Sequence, residues 1–403
     1  MMTTEVPWTL QKERAMTRKQ VLEKALKGEI TWVDAAEILG LTPRQVRRIR
    51  KRFESSGAQG LEDKRRGKPA LNRIPEHWRS EIARLFKEKY FDFSVLHFYE
   101  KLRVEHGIQI ARYSSVKKIL REQGLVPLEA PRKKHRLRRE RRPLPGMLMH
   151  LDGSTHSWFG ENHPQCDLVA VLDDATSEVY SAKFVPQEST KSCMMVIRET
   201  IEKKGVFCAL YTDRASHFVV TPKGATRPDR TRETEINRAL SRLGAQLITA
   251  YTPQARGRME RLWRTWQGRL PQEFRLRGVT TLDAANAFLR SEFVPWHNES
   301  LTVKAKASES AFTALPQGLD LDYVFSVQST RVVNHDNTVS FKNLILQIPK
   351  HPELQFCFVG SKVLLHEHLD GSVSITHGPR LLVRYPSLKS LMSQDQIPKR
   401  KAA

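Results

Sequence analysis

Three carboxylates in the middle of the chain stand where acidic chemistry could be used. Asp152 closes the mostly apolar run at 147–152, and Asp213 follows the apolar run at 206–211. Glu260 is the single acid in Q-A-R-G-R-M-E-R-L-W-R-T-W-Q, residues 254–267. Three such groups gathered at one place repel one another unless a divalent cation neutralises them. Two Mg²⁺ ions about 4 Å apart activate an attacking oxygen and stabilise a leaving one, and Mn²⁺ accepts the same ligands. By itself Glu260 has a plainer reading, an exposed acid paired along its helix with Arg256 and Arg264. At 3.6 residues per turn Arg256, Glu260, Arg264 and Gln267 share one face, and Met259, Leu262, Trp263 and Trp266 fall largely on the other.

The elements that must position these acids read as β-β-β-α-β-α-β-α. Strands are expected at 147–152, 167–172, 178–184, 206–211 and 245–250, with helices at 189–204, at 233–243 and through Glu260. The first three strands are spaced as an antiparallel meander. If the first and fourth neighbour one another, Asp152 and Asp213 converge at one sheet edge and the last helix carries Glu260 over them. Among competing groups, Asp173 and Asp174 read as a strand-end turn and Asp167 as solvated. His217 is an auxiliary candidate for proton transfer or a phosphate contact, with a structural role equally open. His150 reads as core.

The rest of the chain is basic: 67 Lys and Arg against 44 Asp and Glu give a formal charge of +23, which attracts polyanions, nucleic acid first among them. Four dispersed cysteines without a C-x-x-C pair exclude a disulfide framework or zinc finger and read as reduced, mostly buried thiols. No apolar run spans a bilayer, and M-M-T-T-E-V-P-W lacks a signal peptide's apolar segment, so a cytoplasmic protein without membrane partners is expected. Helical patterns at 17–26, at 31–39 and from Pro43 read as helix-turn-helix, Thr42 capping the third helix and Pro43 opening it. That helix turns Arg44, Gln45, Arg47, Arg48 and Lys51 outward, donors suited to base edges and phosphates. Further helices at 75–90, 94–105 and 114–123 form a second such unit, with Arg112, Ser115, Lys117 and Lys118 toward DNA. The run P-R-K-K-H-R-L-R-R-E-R-R, including Arg132, Lys133 and Lys134, has too little to bury and follows a phosphate backbone.

H-L-D-G-S, T-D-R-A-S-H-F and Y-T-P-Q-A-R-G-R-M-E-R-L-W-R-T-W-Q, in this strand order, resemble the DDE insertion-sequence transposases and retroviral integrases with their RNase H-like core. The likeness covers roughly residues 143–300, F-V-P-W-H-N included. It implies that Asp152, Asp213 and Glu260 are the metal-binding catalytic carboxylates, holding two Mg²⁺ ions, with Mn²⁺ as a substitute. It also implies duplex DNA as partner, both terminal inverted repeats and target, at least a dimer, and a bacterial, nucleoid-associated location. Arg256 and Arg264 would face phosphates. Arg214-Ala215 departs from the Asn-Gly common after the second aspartate, and a long loop at 219–232 lengthens the interval to Glu260.

The expected fold is multi-domain α+β. A helix-turn-helix domain at 1–58, a linker at 59–72, a second helical domain at 73–127 and a polybasic linker at 128–145 precede an RNase H-like core with a mixed five-stranded sheet at 146–300. A connector at 301–325 with a short helix ended by Pro316, a small SH3-like barrel at 326–387 and a disordered tail at 388–403 follow. The function implied is a transposase that cleaves element ends and joins 3′-hydroxyls to target DNA. The alternatives are a regulator with an inactive core, or an RNase H-like nuclease without strand transfer.

Overall fold

The computed structural model describes residues 8–62, 73–127, 139–220, 229, 232–250, 257–350 and 357–387, so Arg132, Lys133, Lys134 and Arg256 lie outside the described residues, as do most of the 219–232 loop and the expected disordered tail at 388–403. The chain divides into a first unit ending at Trp78 and a second starting at Arg79.

The first unit holds α1 (Trp8–Leu26), α2 (Trp32–Ile38), α3 (Pro43–Ser56) and a short 3₁₀ turn, Gly57–Leu61. Thr31 and Thr42 each close a capping box, with Asp34 and Gln45 returning a side chain to the cap backbone. Val46 and Ile49 are buried with Leu22, Ala36 and Leu61, and this fixes which face of α3 looks outward. Arg44, Gln45, Arg47, Arg48 and Lys51 are all exposed. The Gln45 carbonyl, however, accepts the Thr42 N–H at 2.9 Å, so only its amide donors remain for DNA.

Helix α4 (Glu76–Glu88) straddles the division, and α5 (Val95–Val104) and α6 (Tyr113–Glu122) follow it in the second unit. At α6, Arg112 and Lys118 are exposed, Ser115 and Lys117 are half-buried, Lys117 lies over the Tyr113 ring, and Lys118 pairs with Glu122. The sheet follows: β1 (Met149–His156), β2 (Cys166–Asp173), β3 (Val179–Val185), α7 (Thr190–Lys204), β4 (Ala209–Thr212), α8 (Glu235–Leu243) and β5 (Gln246–Thr249). The strand order is β3-β2-β1-β4-β5, antiparallel among the first three and parallel from β1 to β4 to β5, the mixed five-stranded sheet expected. Both faces are covered. Met149, Leu151, Val169 and Val171 pack against α7 and α8, while Leu168, Ala170 and Leu172 pack against the helices that follow β5. Those are α9 (Gly257–Gln267), α10 (Leu270–Arg277), α11 (Leu282–Phe288), a π-helical turn at Leu289–Phe293, and α12 (Val294–Ser300). Of the cysteines, Cys166 and Cys193 are buried and Cys208 and Cys357 exposed, so burial applies to only half of them.

Two expectations need correction here. Strand β1 does not end at Asp152 but runs on to His156, because its second half keeps pairing with β2 after β4 has left it. The connector forms no helix ended by Pro316: Ala311 and Thr313 donate backbone N–H groups to Pro145 and Val206, and Phe312 lies on Gly146, so tertiary partners take the backbone bonds a helix would need.

After α13 (Leu321–Val324) come β6 (Val327–Val332), β7 (Thr338–Phe341), β8 (Leu344–Gln347), β9 (Lys362–Glu367), β10 (Val373–His377) and β11 (Arg380–Tyr385). The expected SH3-like barrel is not closed. These strands make an open sheet, β11-β10-β9-β6, with the β7–β8 hairpin packed on one apolar core. The β7–β8 hairpin forms because Lys342 and Asn343 both take positive φ and reverse the chain.

Candidate active site

Parity along β1 decides what each side chain meets. Leu151 faces α7 and α8, so His150, Asp152 and Ser154 face α9. Strand β4 pairs with β1 through Met149↔Leu210 and His150↔Tyr211. The ladder ends there, so Asp152 and Asp213 each lie two residues beyond its last pair.

Helix α9 lies along β1. Met259, Leu262, Trp263 and Trp266 are its buried residues. Trp263 Nε1 donates to Asp152 Oδ2 at 2.9 Å, and Gln267 Nε2 donates to Ser154 Oγ at 3.0 Å. Glu260 is exposed on the first turn, one turn before Trp263. Arg264 is exposed as well, and among the described residues no ion pair forms to Glu260. Arg258 turns inward: its Nε donates to Asp174 Oδ1 at 2.5 Å.

Asp174 is wholly buried and gathers several elements. It accepts His150 Nε2 at 2.8 Å and the Arg142 backbone N–H at 2.7 Å, while Arg141 donates to its carbonyl oxygen. Burial alone would raise its pKa, but the hydrogen bonds from His150, Arg258 and Arg142 outweigh that and hold the carboxyl well below its ordinary range. Burial likewise lowers the pKa of His150, which donates as the neutral imidazole. Its neighbour Asp173 accepts from Gly146 and Thr176 in the strand-end turn expected of it. Asp167 is not solvated but buried, accepting Thr155 Oγ1 and the Glu188 N–H, because β2 has both faces covered.

Asp213 follows β4 and is half-buried, its Oδ1 accepting the Ala215 N–H at 2.9 Å. His217, further along this turn, donates from Nε2 to Glu188 Oε1 at 3.1 Å. Cys193 Sγ–H donates to the same oxygen at 3.5 Å; its thiol pKa is pushed far up by burial first, then by Glu188 and Asp213. Glu188, Cys193 and His217 are the one group of three potential ligands within 4.8 Å of one another among the described residues. Asp152, Asp213 and Glu260 are not drawn together that closely. As donors they fit Mg²⁺ or Mn²⁺ better, since three carboxylates are hard ligands and a buried protonated thiol is not.

A helix-turn-helix family model matches residues 17–70. A putative transposase of Sinorhizobium fredii, y4bF, is 32% identical over 364 residues, covering 90% of this chain and 79% of that protein. The chain belongs to the transposase family. The Streptococcus pneumoniae transposase for insertion sequence IS1202 is 27% identical, over 89% of this transposase and 83% of its own length. Among solved structures, a simian T-cell lymphotropic virus intasome in complex with PP2A regulatory subunit B56 gamma aligns at 15% identity. It covers 76% of this chain and 96% of that one, with a TM-score of 0.32. The Mos1 strand transfer complex also aligns at 15% identity, over 71% and 95%, with a TM-score of 0.23. For this transposase, sequence reasoning missed Glu188 and the polar role of Trp263. The indole N–H was the available signal, because a buried tryptophan seeks an acceptor.

Proposed function

We propose that this transposase binds the terminal inverted repeats of its element, cleaves the ends and joins the exposed 3′-hydroxyls to target DNA, working as at least a dimer. Asp152, Asp213 and Glu260 hold two divalent cations, Mg²⁺ or Mn²⁺, which would supply activation of the attacking oxygen and charge neutralisation at the leaving one. The observation that carries this reading is the hydrogen bond from Trp263, on the helix bearing Glu260, to Asp152, with Asp152 and Asp213 each two residues past the last β1–β4 pair. It supports a gathering of the three acids at one sheet edge.

The chain's own groups divide the remaining work. Trp263 orients the Asp152 carboxylate, Asp174 seats the first turn of α9, and Arg264 with Arg256 contacts phosphate. Arg44, Gln45, Arg47, Arg48 and Lys51 read the end sequence, assisted by Arg112, Lys117, Lys118 and the Arg132–Lys134 run. The domain boundaries proposed are those of the sequence reading, except that residues 139–142 join the core domain and an open sheet replaces the barrel.

Strand transfer with pre-cleaved ends and Mg²⁺ tests the assignment. Asp213→Asn and Glu260→Gln are expected to abolish joining and to bind end DNA as wild type does. Undiminished joining by Asp213→Asn overturns it, and loss of folding in Glu260→Gln returns that residue to a structural role.

A further inference from the structure

We infer that Glu188 is a positioning residue of this site: its carboxylate, seated on Gly153 and hydrogen-bonded by His217, clamps the turn that begins at Asp213 to strand β1 beside Asp152. The inference rests on Asp152 and Asp213 being reacting carboxylates.

Three segments meet at Glu188. A methyl group at Gly153 would overlap Glu188 Oε2, so β1 admits the carboxylate only because residue 153 has no side chain. On its other oxygen, Oε1, the carboxylate accepts His217 Nε2–H and Cys193 Sγ–H. His217 is fixed relative to Asp213 by the turn between them: Ala215 N–H donates to Asp213 Oδ1, Phe218 N–H donates to Ala215 O, and the Phe218 ring is buried. Glu188 is itself anchored to β1. Its N–H donates to Asp167 Oδ2 at 2.6 Å, and Asp167 Oδ1 accepts Thr155 Oγ1–H at 2.5 Å.

The clamp answers a geometric need. The β4 ladder with β1 ends at Tyr211 and its ladder with β5 at Thr212, so Asp213 lies beyond both. Strand pairing therefore does not set the distance from Asp213 to Asp152. The Gly153–Glu188–His217 contact ties this turn to the residue next to Asp152, on the α7 and α8 face of β1.

The test uses the full chain, with joining of pre-cleaved ends at saturating DNA, affinity for the same DNA, and thermal unfolding. Glu188→Ala is expected to lower the joining rate by about 10- to 100-fold, the scale of a small misplacement of reacting groups, with affinity unchanged. Glu188→Gln keeps an acceptor for both donors and recovers most of that loss. Gly153→Ala evicts the carboxylate and costs a similar factor, and the double variant Gly153→Ala/Glu188→Ala is no worse than either single one. Additive losses, or a Glu188→Gln variant as impaired as Glu188→Ala, overturn the inference. Should Glu188→Ala fail to fold, Gly153→Ala and Glu188→Gln carry the comparison. An Asp213→Asn arm separates the two readings. Its undiminished joining sinks the site assignment, whereas its loss beside an unaffected Glu188→Ala sinks the clamp alone.

Discussion

Trp263 offers its indole N–H to a carboxylate that is almost completely buried, so the bond does more than fill space. Removing a donor from a buried charged acceptor costs about 1–3 kcal/mol. Trp263→Phe keeps most of the ring's packing and deletes only that donor. Its joining rate is expected to fall about 10-fold, a ~1.4 kcal/mol effect, with DNA affinity unchanged; a rate equal to wild type in strand-transfer assays would show that Asp152 needs no such orientation. The sequence displayed this residue without its partner. Helical spacing put Trp263 on the buried face, but the parity of β1 and the packing of α9 on it decide that the indole meets Asp152 and not a hydrocarbon.

Helix α5 is bonded to α10 by a compact ionic network. His97 Nε2 contacts Glu273 Oε1 at 2.7 Å, Lys101 reaches Glu273 at 2.9 Å, and Arg269 forks onto Glu100 at 2.6 and 3.0 Å. Burial works to raise the Glu273 pKa, but the bonds from His97 and Lys101 more than offset it and bring the group to about 2. Burial also lowers the pKa of His97 from 6.5. Both folded-state values lie below the unfolded ones, so both groups give stability that is complete at neutral pH and lost on acidification. The loss begins below about pH 6.5 for His97, and for Glu273 it runs from 4.5 down to about 2. Melting temperature measured from pH 7 to 3 should therefore drop, and Glu273→Gln should flatten the acid limb while lowering the value at pH 7. An acid limb of unchanged slope in the variant would remove this network as its cause. None of this was legible in the sequence, where His97 and Glu273 lie far apart in the chain with no pattern joining them. The five core strands were legible because their apolar runs are bounded by Asp, Gly and Pro, and α3 because Thr42-Pro43 marks its start. The β7–β8 hairpin was not, since Lys342-Asn343 is a weaker turn signal than Asn-Gly.

Across the whole molecule, charge and chemistry are separable. The outward residues of α3 belong to the first unit and the carboxylates to the second. Replacing Arg47 and Arg48 by Ala should weaken binding to end DNA and flatten its logarithmic salt dependence by about 2 if both contact phosphate. A titration of affinity from low to moderate salt reads the slope directly, and an unchanged slope would assign these arginines elsewhere. The buried Asp174 then acquires a meaning for modularity. Because it holds Arg142 and Arg258 together, residues 139–142 are part of the body that carries α9 although their composition is that of the tether. A foreign recognition module is expected to be tolerated in place of α1–α3, whereas a seam placed after Arg142 would strip the carboxylate of its backbone donor, take His97 and Lys101 from Glu273, and loosen the seat of α9. How far a transplanted module may extend into this chain is therefore limited by partners buried in its core.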